Sequence, residues 1–290
     1  MAERDKFFGV NSIKFNKYFK DDNDCLKYLA NIKWENGFEC KKCKGDKFCK
    51  GKKEYNRRCT KCRYDESPTV GTMFDNLKFS LHLAFHIAFK ISTKKKGMSS
   101  TELSQEFELR QKTCWRFKLN IQKAMESSRQ NLLDGVIHVD EFMIGGPEVE
   151  KRGRSLGVKK LIVVALEILE DGVGRAYAEV IEHGSGKELG GFLQKYVALE
   201  AKIISDEWRG YRPVKKIFKN LIQVPSKSGK NFNDLHIHIM NIKGWLRGIH
   251  HHCSKPRMQN YLDEYHFRYN RRSKMETIFD LLIKKMEKTL

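Results

Sequence analysis

Two pairs of cysteines, Cys40-x2-Cys43 and Cys59-x2-Cys62, stand fifteen residues apart, and no other feature constrains the chain so tightly. Cysteines three positions apart turn both thiolates toward one point, and two such turns supply four soft ligands in a closed tetrahedral shell. The spacing predicts a structural Zn²⁺ site in a zinc ribbon over residues 36–66. The other cysteines, Cys25, Cys49, Cys114 and Cys253, are scattered, which fits a reducing compartment better than a disulfide framework. Cys49 has no spaced partner and is read as a bystander.

The ribbon is also one-sided in charge: Lys41, Lys42, Lys44, Lys47, Arg57, Arg58 and further lysines stand against only Asp46 and Glu54. Such a surface suits phosphate oxygens, and Lys41, Lys42, Arg57 and Arg58 are the expected DNA contacts. The whole chain shares the bias, with 56 basic and 36 acidic side chains among 290 residues and a net charge of +20. A positive field of that size attracts polyanions without choosing among nucleic acid, phosphate-rich ligands and anionic lipid. Hydrophobic residues at 40% supply ordinary cores and exclude a disordered polymer. The length suggests two or three domains. No run of about 18 apolar residues occurs and the start, Met1 to Lys6, lacks a signal stretch, so a cytoplasmic protein without membrane insertion is expected.

Along the chain, residues 1–35 read as a helical lead-in and 74–130 as an all-α region, with Leu81, Phe85, Ala88 and Phe89 on one stripe. Within that region Ser99-Ser100-Thr101-Glu102-Leu103 carries a helix-start signal. A second helix then places Cys114, Phe117 and Ile121 on one side and Lys112, Arg116, Lys118, Asn120 and Lys123 largely on the others. That is the layout of a helix-turn-helix whose second helix enters the major groove, with Lys112 and Arg116 as DNA contacts. A plain helical hairpin shows the same periodicity. From 132 to 275 short β-rich runs appear, Val136–Val139, Leu161–Leu166, Ala176–Ile181 and Lys202–Ser205, with a helix at 186–198 between the last two. The order predicts a mixed α/β sheet layered with helices, followed by a C-terminal helix over 276–290, and makes the chain a multidomain α+β protein.

Two of these strands end in paired acids, Asp140-Glu141 and Asp206-Glu207. A carboxylate at a strand end sits on the rim of the sheet, and two neighbouring strands of this kind can bring both to one hard cation. Alternation along the strand turns Glu141 and Glu207 away from the face used by the aspartates.

Together these features resemble a known family, the bacterial insertion-sequence transposases of the ISXO-like group, which join an N-terminal zinc ribbon to a ribonuclease-H-like DDE-type catalytic domain. The resemblance is carried by Val139-Asp140-Glu141 with Gly145-Gly146, by Ser205-Asp206-Glu207-Trp208-Arg209-Gly210-Tyr211, and by Tyr261-Leu262-Asp263-Glu264-Tyr265 with Phe267-Arg268-Tyr269-Asn270-Arg271-Arg272. It implies that Asp140 and Asp206 hold a catalytic Mg²⁺ or Mn²⁺. It also implies a third position, glutamate, asparagine or histidine, followed seven residues later by lysine. His236 with Lys243 satisfies this, and Leu235, Ile239, Ile242 and Leu246 mark the buried face of that helix, which leaves His236 and Lys243 on a shared neighbouring face. Asn233 and His238 are rival occupants. A neutral imidazole is a poorer ligand than a carboxylate for Mg²⁺, and Mn²⁺ accepts it more readily. The aromatic and serine residues usual after the third position are missing from Ile237 to Asn241. Arg271 and Arg272 join the expected DNA contacts. The tract His250-His251-His252 reads as phosphate-contacting or exposed.

The function implied is DNA transposition: binding of terminal inverted repeats in double-stranded DNA, metal-dependent strand cleavage and transfer to target DNA, and self-association in a synaptic dimer or larger assembly at the bacterial nucleoid. The alternative is a catalytically inactive or domesticated zinc-ribbon DNA-binding regulator. Metal-dependent nicking of a cognate end separates the two; a nuclease that cuts without joining is separated by strand transfer.

Overall fold

A computed structural model describes residues 6–145, 159–250 and 253–288, and its contacts divide the chain into two compact units, 1–125 with 273–290 and 126–272. In the first unit, α1 (Ser12–Tyr18) and α2 (Asp22–Lys33) begin where Asn11 and Asp21 accept hydrogen bonds from the first free backbone N–H groups. The ribbon follows as three short antiparallel strands, β1 (Phe48–Lys50), β2 (Arg57–Cys59) and β3 (Asp65–Glu66), in that order.

The all-α stretch begins with α3 (Leu81–Thr93), which buries Leu81, Phe85, Ala88 and Phe89, as the stripe predicts. Next, α4 (Ser100–Phe107) starts in a full capping box between Ser99 and Glu102 and stops at Glu108, whose φ of 52° is left-handed. α5 (Gln111–Ala124) follows and buries Cys114, Phe117 and Ile121 while exposing Lys112 and Arg116. Lys118, placed by periodicity toward the polar side, is instead 4% exposed and donates to the Met98 carbonyl at 2.5 Å. Its aliphatic stem lies in the core and its ammonium satisfies the turn before α4.

In the second unit the described strands are β4 (Val136–Ile144), β5 (Lys160–Leu169), β6 (Gly172–Ile181), β7 (Lys202–Ser205) and β8 (Leu221–Gln223), ordered β6-β5-β4-β7-β8. β5 pairs antiparallel to both β4 and β6, while β4 pairs parallel to β7 and β7 parallel to β8. This is the ribonuclease-H-like arrangement. α6 (Gly186–Tyr196), whose start is capped by Ser185 and Glu188, packs Leu189, Phe192 and Leu193 on one face with Ile137, Val139 and Ile203. On the other face α7 (Asn233–Ile249) and α8 (Lys255–Tyr269) bury Leu235, Ile239, Ile242, Leu246, Met258 and Leu262 against Phe142, Ile162 and Val164.

β6 is an edge strand, and α8 blunts it. The Gln259 amide donates to the Ala178 carbonyl at 3.2 Å and accepts from Val180 N–H at 3.0 Å, and Asn270 does the same for both backbone groups of Ala176. Side-chain amides thus occupy backbone groups that would otherwise invite another strand.

The closing helix, α9 (Ile278–Lys288), belongs to the first unit. Phe279 meets the rings of Phe7, Phe15, Phe19, Phe85 and Phe89 at 5.4–5.8 Å. The Met286 carbonyl accepts from Met73 N–H, and Tyr28 Oη donates to Asp280. Among the described residues no helix is long and apolar enough to cross a membrane.

Candidate functional site

The ribbon brings its four cysteines together with ligand atoms all within 4.8 Å of one another. Both cysteine pairs use the same backbone device. Lys44 N–H returns to the Cys40 carbonyl and Arg63 N–H to the Cys59 carbonyl, with Lys44 and Arg63 both left-handed at φ 60° and 62°. Sγ separations of 3.6 Å for Cys40 and Cys62 and 3.5 Å for Cys43 and Cys59 approach the edge of about 3.8 Å that a tetrahedron of Zn–S bonds requires. The backbone N–H of Cys62 pulls the Cys59 thiol down to about 7, toward the thiolate that binds metal. The donor set fits a closed, structural metal site.

Of the ribbon's predicted DNA contacts, Lys41 and Lys42 are exposed. Arg57 lies between two rings, 4.5 Å from the Trp34 centroid and 4.1 Å from that of Phe48, and Arg58 donates to the Arg63 carbonyl. In the second unit Arg271 donates to the Phe267 carbonyl and stacks on the Phe267 ring, while Arg272 donates to Tyr269 and Val173 carbonyls and stacks on Tyr269. These four guanidinium groups are engaged by the protein itself, a use of arginine that charge counting does not distinguish from phosphate contact.

The acidic site is built on the sheet. Register sets Val139 beside Ser205, so Asp140 follows within β4, which runs on to Ile144 instead of ending at its acids, and Asp206 follows as the first residue past β7. Ile137, Val139 and Ile203 face α6, whereas Phe142 and Ile204 face α7; by alternation Asp140 points to the α7 side, and Asp206, one residue past β7, is near enough for its charge to act on it. Asp140 is 20% exposed; its Oδ1 accepts from Glu141 N–H at 2.7 Å and its Oδ2 meets His236 Nε2 at 3.2 Å. Burial, helped by the nearby Asp206 charge, raises its pKa above the ordinary carboxylate value against the lowering by those hydrogen bonds. Asp206 Oδ1 accepts from Trp208 N–H at 3.0 Å.

α7 lies over β4 with its residues in the order the helix face predicts. The ring of His236 reaches Asp140, and two turns on, Lys243 Nζ stands 5.3 Å from the centroid of Phe142. The rivals occupy other surroundings: Asn233 is exposed at the first residue of α7, and His238 is buried with its Nε2 3.2 Å from that of His266. Glu141 faces the opposite layer, where it accepts from Tyr211 Oη, and Glu207 is exposed. His250 stacks on Tyr261 at 4.0 Å, while His251, His252 and Gly146 lie outside the described residues.

Several residues that shape this site carried no sequence signal. Gly229, at φ +89°, lies against the His236 ring so closely that a Cβ there would stand 2.6 Å from Nδ1. Gln223 on β8 donates to the carbonyls of Asp206 and Trp208, and three residues of strand are too short for a periodicity to announce. The run from Asp206 to Tyr211 was visible as a motif, but its internal bonds were not.

A ribonuclease-H-like sheet with Asp140 inside β4 and Asp206 just past the neighbouring β7, in a chain with a four-cysteine ribbon, is the arrangement expected of a DDE-type polynucleotidyl transferase. Comparison with known proteins gives the family. Residues 132–270 match the ISXO2-like transposase domain and residues 20–65 the transposase zinc-ribbon domain, together well over half of the chain. The chain belongs to the ISXO-like transposases and is a transposase that acts in DNA transposition. It is 23% identical to the uncharacterized protein in transposable element ISH50 of Halobacterium salinarum, over 87% of this chain and 92% of that one. Solved structures with some likeness are the Mos1 strand transfer complex, 12% identical over 70% of this chain and 78% of that chain at a TM-score of 0.30, and the Mos1 mariner paired end complex with Mn, 11% identical over 67% and 76% at 0.31.

Proposed function

We propose that this transposase binds the terminal inverted repeats of its own element, cleaves a strand at each end with Mg²⁺ or Mn²⁺, and passes the freed 3′ end to target DNA. The observation that carries the reading is Asp140 with His236 bonded to it at 3.2 Å and with the charge of Asp206, the residue after β7, acting on it. Asp140 and Asp206 hold the divalent ion, and His236, already bonded to Asp140, completes or orients that site. A bound divalent ion supplies charge stabilisation for in-line phosphoryl transfer and eases deprotonation of the attacking oxygen. Lys243 offers a point charge to a DNA phosphate two helical turns from His236. This is the two-aspartate, histidine and lysine version of the DDE site.

The ribbon carries a structural Zn²⁺, and DNA is engaged by Lys41 and Lys42 there and by Lys112 and Arg116 on α5, all exposed. Joining two ends calls for a dimer or larger synaptic assembly, in the bacterial cytoplasm where the nucleoid lies.

The test is incubation of the purified, zinc-loaded protein with its element's flanking ends and either metal. Asp140→Asn and Asp206→Asn should each lower cleavage by about 10³-fold or more, about 4 kcal/mol of barrier, with end binding within about threefold of wild type. His236→Ala should lose most cleavage and His236→Glu should favour Mg²⁺. Binding without cleavage by the wild type, under either metal on a verified end, would establish the regulator instead. Cleavage without joining would establish a nuclease.

A further inference from the structure

The ladder that aligns the two metal-bearing strands stops one residue short of the metal ligands. β4 and β7 pair through Val139 and Ser205, and β7 pairs with β8 through Ser205 and Gln223. Beyond Ser205 the chain leaves the sheet, so the β4–β7 ladder does not set the distance between Asp140 and Asp206. A hydrogen bond on the far face of the sheet spans this gap. Tyr211, five residues after Asp206, is fully buried in the α6 layer and donates its hydroxyl to Glu141, one residue after Asp140.

We propose that Glu141 and Tyr211 are positioning residues that hold Asp140 and Asp206 at the separation a shared divalent ion requires. The inference rests on the reading that these two aspartates bind that ion.

Neither side chain points toward the metal face, since Glu141 alternates with Asp140 along β4. What they join are the two backbone segments that carry the ligands. The Asp206–Tyr211 segment is otherwise held at its start: Gln223 grips the carbonyls of Asp206 and Trp208, and the Trp208 indole donates to the Gly184 carbonyl at 3.1 Å. Those contacts anchor the segment to β8 and to the turn before α6. The Tyr211 bond ties it to β4, the strand of the other ligand. Burial keeps the Tyr211 hydroxyl protonated well beyond the ordinary phenol range, so it remains a donor at any working pH. Ligand sites depend on supporting contacts of this kind, whose loss typically weakens metal affinity by ten- to a hundredfold.

The experiment measures Mn²⁺ binding to the zinc-loaded full chain by loss of the free-ion paramagnetic signal, beside melting temperature and the Mn²⁺ dependence of end cleavage. Tyr211→Phe should weaken Mn²⁺ binding by about tenfold and raise the Mn²⁺ needed for half-maximal cleavage, with most of the turnover restored at saturating Mn²⁺. Glu141→Ala should behave alike, and the double variant should be no worse than either single one. Glu141→Gln retains a carbonyl acceptor for the phenol and should bind Mn²⁺ close to wild type. Should Tyr211→Phe fail to fold, the two Glu141 variants decide alone. Folded Tyr211→Phe or Glu141→Ala protein with wild-type Mn²⁺ affinity, whatever its melting temperature, overturns the proposal. If Asp140→Asn and Asp206→Asn also leave Mn²⁺ binding untouched, the metal reading itself fails; if they abolish it, the failure belongs to the positioning pair alone.

Discussion

In the ribbon, Cys40 and Cys62 meet across a separation of 22 positions, whereas Asp140 and His236 meet across 96. The first site is closed by two tight turns that any sequence of the same spacing can form. The second exists only once a parallel strand pair is in register and a helix has been laid over it. One site depends on its ligand for its shape, because the core around it is small: Trp34, Phe38, Cys40 and Cys59 are its buried cluster, with Ala30 beside them. The other stands on two extensive apolar layers that need no ion to pack. A local site can therefore be lost by removing its metal, while a long-range site persists as geometry and loses only its chemistry.

The strongest break in that comparison is removal of zinc. Binding of a structural zinc is worth about 10–16 kcal/mol in small folds of this kind, so chelation or Cys59→Ser should open residues 36–66 to protease and expose all four thiols to titration. Melting of residues 126–272 should change little. Equal loss of structure in both units would erase the distinction.

A large effect of the opposite kind is expected at Phe279. This residue is fully buried among aromatic rings supplied by chain more than 180 positions earlier, and Phe279→Ala should destabilise the first unit by about 3–5 kcal/mol. Calorimetry should show that transition moving down while the second stays. Retained stability would mean that α9 contributes little to the unit it packs in.

A smaller effect sharpens the account of the acidic site. Gly229→Ala places a methyl group against the His236 ring and strains a positive φ. Cleavage should fall by about tenfold or more, about 1.4 kcal/mol of barrier, with the fold intact. The chemical shifts of the His236 ring report whether the ring has moved; unchanged shifts together with unchanged cleavage would dismiss this role for Gly229.

The smallest effect is one of pH. With zinc kept and no other divalent ion present, the raised pKa of Asp140 means that the folded state holds its proton more tightly than the unfolded chain. That contribution is present below the unfolded carboxylate value near 4 and is lost as pH rises through the folded one. Asp140→Asn removes the ionisation, so the variant should melt above wild type at neutral pH and converge with it below about pH 4. A variant that melts lower at neutral pH would show that the ionised carboxylate stabilises the fold.

Much of this was legible beforehand. The cysteine spacing fixed the ribbon's ligands, since four residues in two short turns have few ways to meet. The stripes Leu81, Phe85, Ala88, Phe89 and Leu235, Ile239, Ile242, Leu246 named the buried faces of α3 and α7, because side-chain direction repeats with the helix. His236 and Lys243 on a shared face followed from the same period. Lys118 was misplaced because periodicity reports the direction of a side chain and not the length over which its stem can run through a core. Arg57, Arg271 and Arg272 showed positive charge, but the partner of a guanidinium depends on rings and carbonyls distant in sequence.

The sequence alone determined the local matters: which four thiols can share an ion and which helix faces are apolar. Each depends on neighbours within a turn or two, where backbone geometry is the same in every protein. By contrast β4, expected to end at Asp140-Glu141, runs on to Ile144 because β5 pairs with it that far. Only the tertiary structure decided that Asp140 is reached by His236 while His238 turns to His266, that Gly229 bounds the His236 ring, that Tyr211 ties to Glu141, and that α9 completes the aromatic core of the first unit. Those choices turn on register and on which layer each face meets, and such contacts form between residues that no local rule relates.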